Sequence, residues 1–145
     1  MRNLLSLART PPVVLSRWTR VSDALRQMVR CDVGAAAVVD GQRAIGIFTE
    51  RDAVFRVLLE GREPAMTPVS DVMTTPMLSV GPLDDPHDAR RIMVAKGIRH
   101  LPVVDSDGRV VGMLSLRDVM ADEIDDLEHQ VDALTAFESA DGIGG

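Results

Sequence analysis

The sequence predicts an α/β fold of the segregated, α+β kind, built from two β-α-β-β-α repeats. Three observations carry that prediction. First, sliding the chain on itself by 65 places superposes Thr10-Pro11 on Thr75-Pro76, Asp23-Ala24 on Asp88-Ala89, Met28-Val29 on Met93-Val94 and Val38-Val39-Asp40 on Val103-Val104-Asp105. One extra residue in the second copy ("DSDGR" against "DGQR") then moves the offset to 66, which lays "GIFTERD" (residues 46–52) over "GMLSLRD" (residues 112–118). A period of this size marks a duplicated structural unit. Second, each copy alternates short apolar runs with helical periodicity in the same order. Third, the 145 residues are 46% apolar and 26% charged, enough to bury a core, yet a unit of about 60 residues is marginal alone. Two such units packing together over a shared core are therefore expected.

Each copy opens on an extended segment, "TPPVVLS" and "TTPMLSV". A helix follows from Asp23 to Cys31, with Ala24, Leu25, Met28 and Val29 inward. Its counterpart runs from Asp88 to Lys96, with Ala89, Ile92 and Met93 inward and Gly97 suited to the position just past the end. "AAAVVD" and "AIGIFT" read as paired strands around "DGQ", as do "LPVVD" and "RVVGMLS" around "DSDG". The last helices are expected over Glu50 to Glu60, ending at Gly61, and from Leu116 to about Asp126. The linker "GREPAMTPVSDVM" leads into the second copy. The boundaries so drawn are 1–65, 66–126 and an acidic tail, 127–145.

Charge and cysteine usage narrow the setting. The net charge is −6, but residues 122–145 hold eight acids and no base, leaving residues 1–121 with 14 acids against 16 bases. Such a body has no concentrated basic stripe for nucleic acid or an anionic membrane. No apolar run approaches the roughly 18 residues that span a bilayer. The single Cys31 rules out an intramolecular disulfide and suits a reducing compartment, so a cytoplasmic protein is expected.

The repeated Thr49-x-x-Asp52 and Ser115-x-x-Asp118 leave two readings open. One is a capping box, in which both side chains satisfy orphan amides at a helix start for about 1 kcal/mol. The other is a pair of polar groups turned toward a ligand.

At "GIRHLPVVDSDGRVVGMLSLRDV" (residues 97–119) the sequence resembles the CBS domain family, named after cystathionine β-synthase. The first copy matches through "VVDGQRAIGIFTERD", and the likeness covers roughly residues 8–126. It departs from the pattern where "GAAAVVD" replaces "RHLPVVD". The resemblance implies a tandem pair whose two sheets pack with pseudo-twofold symmetry around two clefts. It also implies adenosyl ligands, namely AMP, ADP, ATP or S-adenosylmethionine, with Thr49, Asp52, Ser115 and Asp118 at the ribose. Phosphate or adenine contacts fall on Arg51, Met77, Arg99, His100, Leu101, Pro102 and Arg117, with Val13 and Ala35 to Ala37 for adenine in the first copy. The chemistry suits that assignment: an ionised carboxylate accepts from both hydroxyls of a diol, and the helix start stabilises negative charge. Arg99 and His100 favour the second copy for a phosphorylated ligand.

Enzymatic signatures are missing. Cys31 has no catalytic neighbours in sequence, and His87, His100 and His129 lack zinc spacing. "DDPHD" (residues 84–88) reads as an acidic helix start rather than a metal cluster, and no P-loop or GxSxG elbow is present. No catalytic activity, required cofactor or metal is expected. Ile124, Leu127, Val131 and Leu134 form one helical stripe in the tail, suited to packing on the module or on a second subunit, with "ESADGIGG" as a frayed end. The expected protein is a stand-alone regulatory pair, a homodimer that binds an adenosyl ligand and signals to a protein target. The alternative is a structural interaction module with no physiological nucleotide.

Overall fold

The computed structural model describes residues 3–143, with side chains through residue 138. The order is α1 (Leu4–Leu7), β1 (Val14–Ser16), α2 (Val21–Cys31), β2 (Ala35–Asp40), β3 (Arg43–Thr49) and α3 (Glu50–Asp52), which continues as a π-helical segment over Ala53–Leu58. Then come α4 (Pro86–Lys96), β4 (His100–Val104), β5 (Val110–Ser115) and α5 (Leu116–Ile143). Among the described residues, no helix is long and apolar enough to cross a membrane.

In the first repeat β1 pairs parallel to β2, and β2 antiparallel to β3. The second repeat has only the antiparallel pair β4-β5. Its expected opening strand, "TTPMLSV", shrinks to a single parallel bridge from Val80 to Val103. Prolines explain the loss. In the first repeat the Ala37 and Arg17 amides donate to the carbonyls of Val13 (3.1 Å) and Val39 (3.0 Å). Pro102 and Pro82 occupy the corresponding positions and have no N–H to donate. Only the Val80 amide to the Pro102 carbonyl (3.1 Å) and the Val104 amide to the Val80 carbonyl (2.8 Å) survive.

The first helix of each repeat turns a narrower stripe inward than expected. Val21, Ala24 and Met28 are buried on α2 while Val29 is 79% exposed. On α4, Ala89 and Met93 are buried and Ile92 is at the surface. Spacings of three and four residues define the face, and the neighbour one residue along is rotated out by about 100°. Both helices stop on a left-handed residue, Asp32 (φ 53°) and Gly97 (φ 66°); glycine takes this conformation without the steric cost that Asp32 bears.

The expected single shared core is two cores with a bridge between them. Ala36, Val38 and Phe48 face the first core with Leu15 and Met28. Leu101, Val103 and Leu114 face the second with Met93 and Val119. Alternation along β2 and β3 turns Ala35, Ala37 and Ile47 to the other side of the sheet, where they meet Met113 in a small third cluster. Each core also takes residues from the segment that leads into the opposite repeat. Leu4 of α1 is buried in the second core, and Val69 and Val72 of the linker in the first.

The same exchange operates in the backbone. Arg9 makes both amide–carbonyl bonds with Met113 of β5 (2.9 and 3.1 Å), and Thr74 makes both with Ile47 of β3 (2.8 and 3.2 Å). Glycine permits the close approach: a Cβ on Gly46 would lie 3.0 Å from the Thr74 carbonyl oxygen, and one on Gly112 3.1 Å from Ala8 Cβ. Helix α5 runs on well past the expected end near Asp126, to Ile143. No glycine or proline interrupts residues 116–141, so nothing local stops it. Gly144 and Gly145 of the expected frayed end lie outside the described residues.

Candidate functional site

At the first Thr-x-x-Asp the helix start is closed upon itself. The Asp52 amide donates to Thr49 Oγ1 (3.2 Å), and the Thr49 amide donates back to Asp52 Oδ2 (3.0 Å), completing a capping box. The other carboxylate oxygen, Oδ1, accepts from the Thr74 hydroxyl (3.0 Å) and lies 3.4 Å from Arg56 Nε. Arg56 also donates to the Met73 carbonyl (3.2 Å). Asp52 is only 5% exposed, and both of its oxygens are used. Arg51 is at the surface with its guanidinium 5.1 Å from the centre of the Phe55 ring.

The second motif is open. The Asp118 amide donates to Ser115 Oγ (3.1 Å), but the carboxylate does not turn back to the Ser115 amide. It is exposed and has no hydrogen bond or ion pair among the described residues. The positions that hold Asp52 have changed chemistry. Arg9 stands where the first repeat has Thr74, and Asp122 where it has Arg56. An acid four residues along a helix from Asp118 repels its carboxylate instead of anchoring it.

Ser115 and Asp118 border a cavity of about 800 Å³, together with Arg99, His100 and Arg117. Asp32, Val33, Gly34 and Ala35 of the first repeat complete its wall, as does Arg9, so the cavity spans both repeats. Three arginines against two aspartates make the lining net basic. Burial holds the His100 pKa below the ordinary histidine value; Glu50 pulls it back up, Arg99 presses it down, and Asp118 raises it. Among the described residues no group of three or more His, Cys, Asp or Glu could hold a metal ion.

Of the residues singled out from sequence, Arg99, His100, Ser115, Arg117 and Asp118 therefore meet around one cavity. Thr49, Arg51 and Asp52 lie elsewhere, at the first motif. Met77 is half-buried outside the cavity lining, Pro102 is buried in β4, and Leu101 belongs to the second core. Sequence reasoning missed Arg9, Asp32 and Gly34. Each opening strand lies beside its own repeat, as expected, Val14–Ser16 on β2 and Val80 on β4, but Arg9 and Thr74, which lead into these strands, pair with the opposite repeat. The identical spacing of Arg9 and Thr74 before their repeats was a signal that the two do equivalent work, but not for which repeat.

Known proteins resemble this arrangement over most of its length. The family model for the CBS domain matches twice, at residues 4–58 and 69–123. A CBS domain-containing protein of Bacillus subtilis is 35% identical over 124 residues, covering 86% of this chain and 87% of that protein. The chain spans 45% and 59% of the lengths of two other curated relatives that it matches. Among solved structures, a CBS-domain protein from Burkholderia ambifaria superposes with a TM-score of 0.78 at 31% identity, covering 86% of this chain and 96% of that one. A CBS domain protein from Pyrobaculum aerophilum, complexed with AMP, gives 0.74 at 26% identity, covering 81% and 89%. The chain belongs to the CBS domain family and carries two CBS domains in tandem.

Proposed function

We propose that this tandem pair is a non-enzymatic regulatory module that binds one adenosine phosphate per chain, in the second cleft. The observation that carries the reading is Asp118: an exposed carboxylate without a partner among the described residues, at a helix start, on the edge of a basic cavity large enough for a nucleotide. In this reading Asp118 accepts from the ribose hydroxyls, and Arg99, Arg117 and His100 meet the phosphates, joined by Arg9. Ala35 and Met113 offer the base an apolar wall. Three arginines favour AMP, ADP or ATP over S-adenosylmethionine, whose sulfonium adds positive charge. The AMP complex of the Pyrobaculum relative supports the same class.

Because the cavity is built from both repeats, a ligand there bridges them. It acts as a regulator if it binds two arrangements of the pair, or of a dimer, with different affinity. A homodimer is part of the proposal: Phe55, Leu58 and Leu59 on the first repeat's last helix, and Met120 and Ile124 on its counterpart, are exposed apolar residues suited to a second copy. The signal is passed to a protein target, within a cytoplasmic setting. Thermal unfolding of ligand-free protein with AMP, ADP, ATP and S-adenosylmethionine tests the reading. A ligand at a hundred times its Kd stabilises the folded state by about 2.7 kcal/mol. Stabilisation by the phosphates, and not by S-adenosylmethionine, is expected. No stabilisation by any of them supports the second reading, an interaction module without a nucleotide, which the exposed acidic end of α5 favours.

A further inference from the structure

Past the two repeats, α5 carries an apolar stripe with nothing packed upon it among the described residues. Leu127, Val131, Leu134 and Phe137 are all more than half exposed. Residues 127–143 project about 25 Å as one continuous helix, so they cannot fold back on their own module without breaking. Two such tails laid side by side would crowd their acids, since residues 122–143 hold eight and no base.

The complementary surface lies on the first repeat of the same chain. The outer face of helix α2 carries Val29, Arg26 and Arg30, with Asp23 and Gln27 beside them and Leu25 half-buried at its edge against the first core. Val29 is 79% exposed there. The two helices share a pattern with opposite charge. Leu25-Arg26 and Val29-Arg30 are one turn apart, as are Leu127-Glu128 and Val131-Asp132. In both, each charge follows its apolar residue and so lies on the same-handed flank. When two helices pack antiparallel, same-handed flanks face each other, which sets Arg26 and Arg30 against Glu128 and Asp132. Arg26 would give up only an exposed bond to Asp23 (3.1 Å), which contributes little. Arg30 has no ion-pair partner among the described residues.

We propose that the acidic C-terminal half of α5 docks antiparallel on the outer face of α2 of a second copy of this chain. Reciprocal docking closes a twofold pair. It requires neither nucleotide nor the helix-face contact proposed above.

Disulfide trapping tests it in full-length chains with Cys31→Ser. Chains carrying Val29→Cys are mixed with chains carrying Leu127→Cys, the residue opposite it in this register, and oxidised by glutathione, without nucleotide. The mixed dimer is expected to exceed both self-linked dimers, and to exceed the product obtained when Gln42→Cys replaces Val29→Cys. Adding Arg26→Glu and Arg30→Glu is expected to lower the mixed product about tenfold, with melting unchanged, because attraction becomes repulsion at two exposed pairs. Leu127→Cys linking mainly to itself, a mixed yield no greater than the Gln42 control, or indifference to charge reversal would each overturn the proposal. None of these outcomes bears on nucleotide binding in the second cleft.

Discussion

The two Thr/Ser-x-x-Asp motifs share a sequence skeleton and a place in the fold, but not an electrostatic state. Asp52 is buried and held by Thr49, Thr74 and Arg56, whereas Asp118 is exposed and, among the described residues, held only through its amide. The difference arises outside the motif, one helical turn along and across the exchanged backbone segment. A capping carboxylate becomes an available one when its arginine is replaced by an acid and its threonine by an arginine. Duplication supplies the frame, and two neighbouring positions divide the labour between a joint and a cleft.

That division predicts opposite consequences for equivalent substitutions. Asp118→Ala is expected to weaken adenosine phosphate binding by about 100-fold, since a carboxylate holding a diol contributes charge-assisted bonds. The exposed side chain leaves stability within about 0.5 kcal/mol, so calorimetry and urea unfolding should separate the two effects. Asp52→Ala is expected to do the reverse. It removes the cap and leaves the Thr49 amide and Thr74 hydroxyl without their partner, at a cost of about 2 to 3 kcal/mol in urea unfolding, while nucleotide affinity is retained. Restoring the first repeat's chemistry sharpens the comparison. Asp122→Arg should draw Asp118 into an ion pair and lower nucleotide affinity by about fivefold, a change within the range of exposed helical pairs.

The smallest effect is in pH. Burial keeps the His100 pKa below that of the unfolded chain, so unfolded protein binds the extra proton more readily. The stability contributed by neutral His100 is fully present above the unfolded value of about 6.5 and is lost as pH falls through the folded pKa. A bound phosphate favours the protonated ring, so nucleotide affinity should rise across the same interval. His100→Gln is expected to flatten both slopes, read by urea unfolding and calorimetry at successive pH values.

Much of this architecture was legible because repetition and periodicity are local. The helices over α2 and α4, the strand pairs and their turns follow from spacing, and Gly97 sits where a helix ends. The missing strand was legible in principle: Pro82 and Pro102 forbid the bonds that Arg17 and Ala37 make. What sequence could not supply was non-local. The crossing of the residues that lead into each opening strand delivers Arg9 to the second cleft and Thr74 to the first motif, and no periodicity encodes which sheet an approaching segment joins. The burial of Asp52 follows from that crossing and from Arg56, four residues on, whose role emerges only beside Thr74.

The central claim is that the second cleft alone takes the nucleotide. Calorimetric titration of ligand-free protein with ADP, in wild type, Asp118→Ala and Asp52→Ala, tests it most directly. The account predicts one ADP per chain in wild type, loss of binding in Asp118→Ala and unchanged stoichiometry in Asp52→Ala under conditions where that variant is folded. Two ADP per chain, or binding that survives Asp118→Ala and disappears in Asp52→Ala, would contradict it.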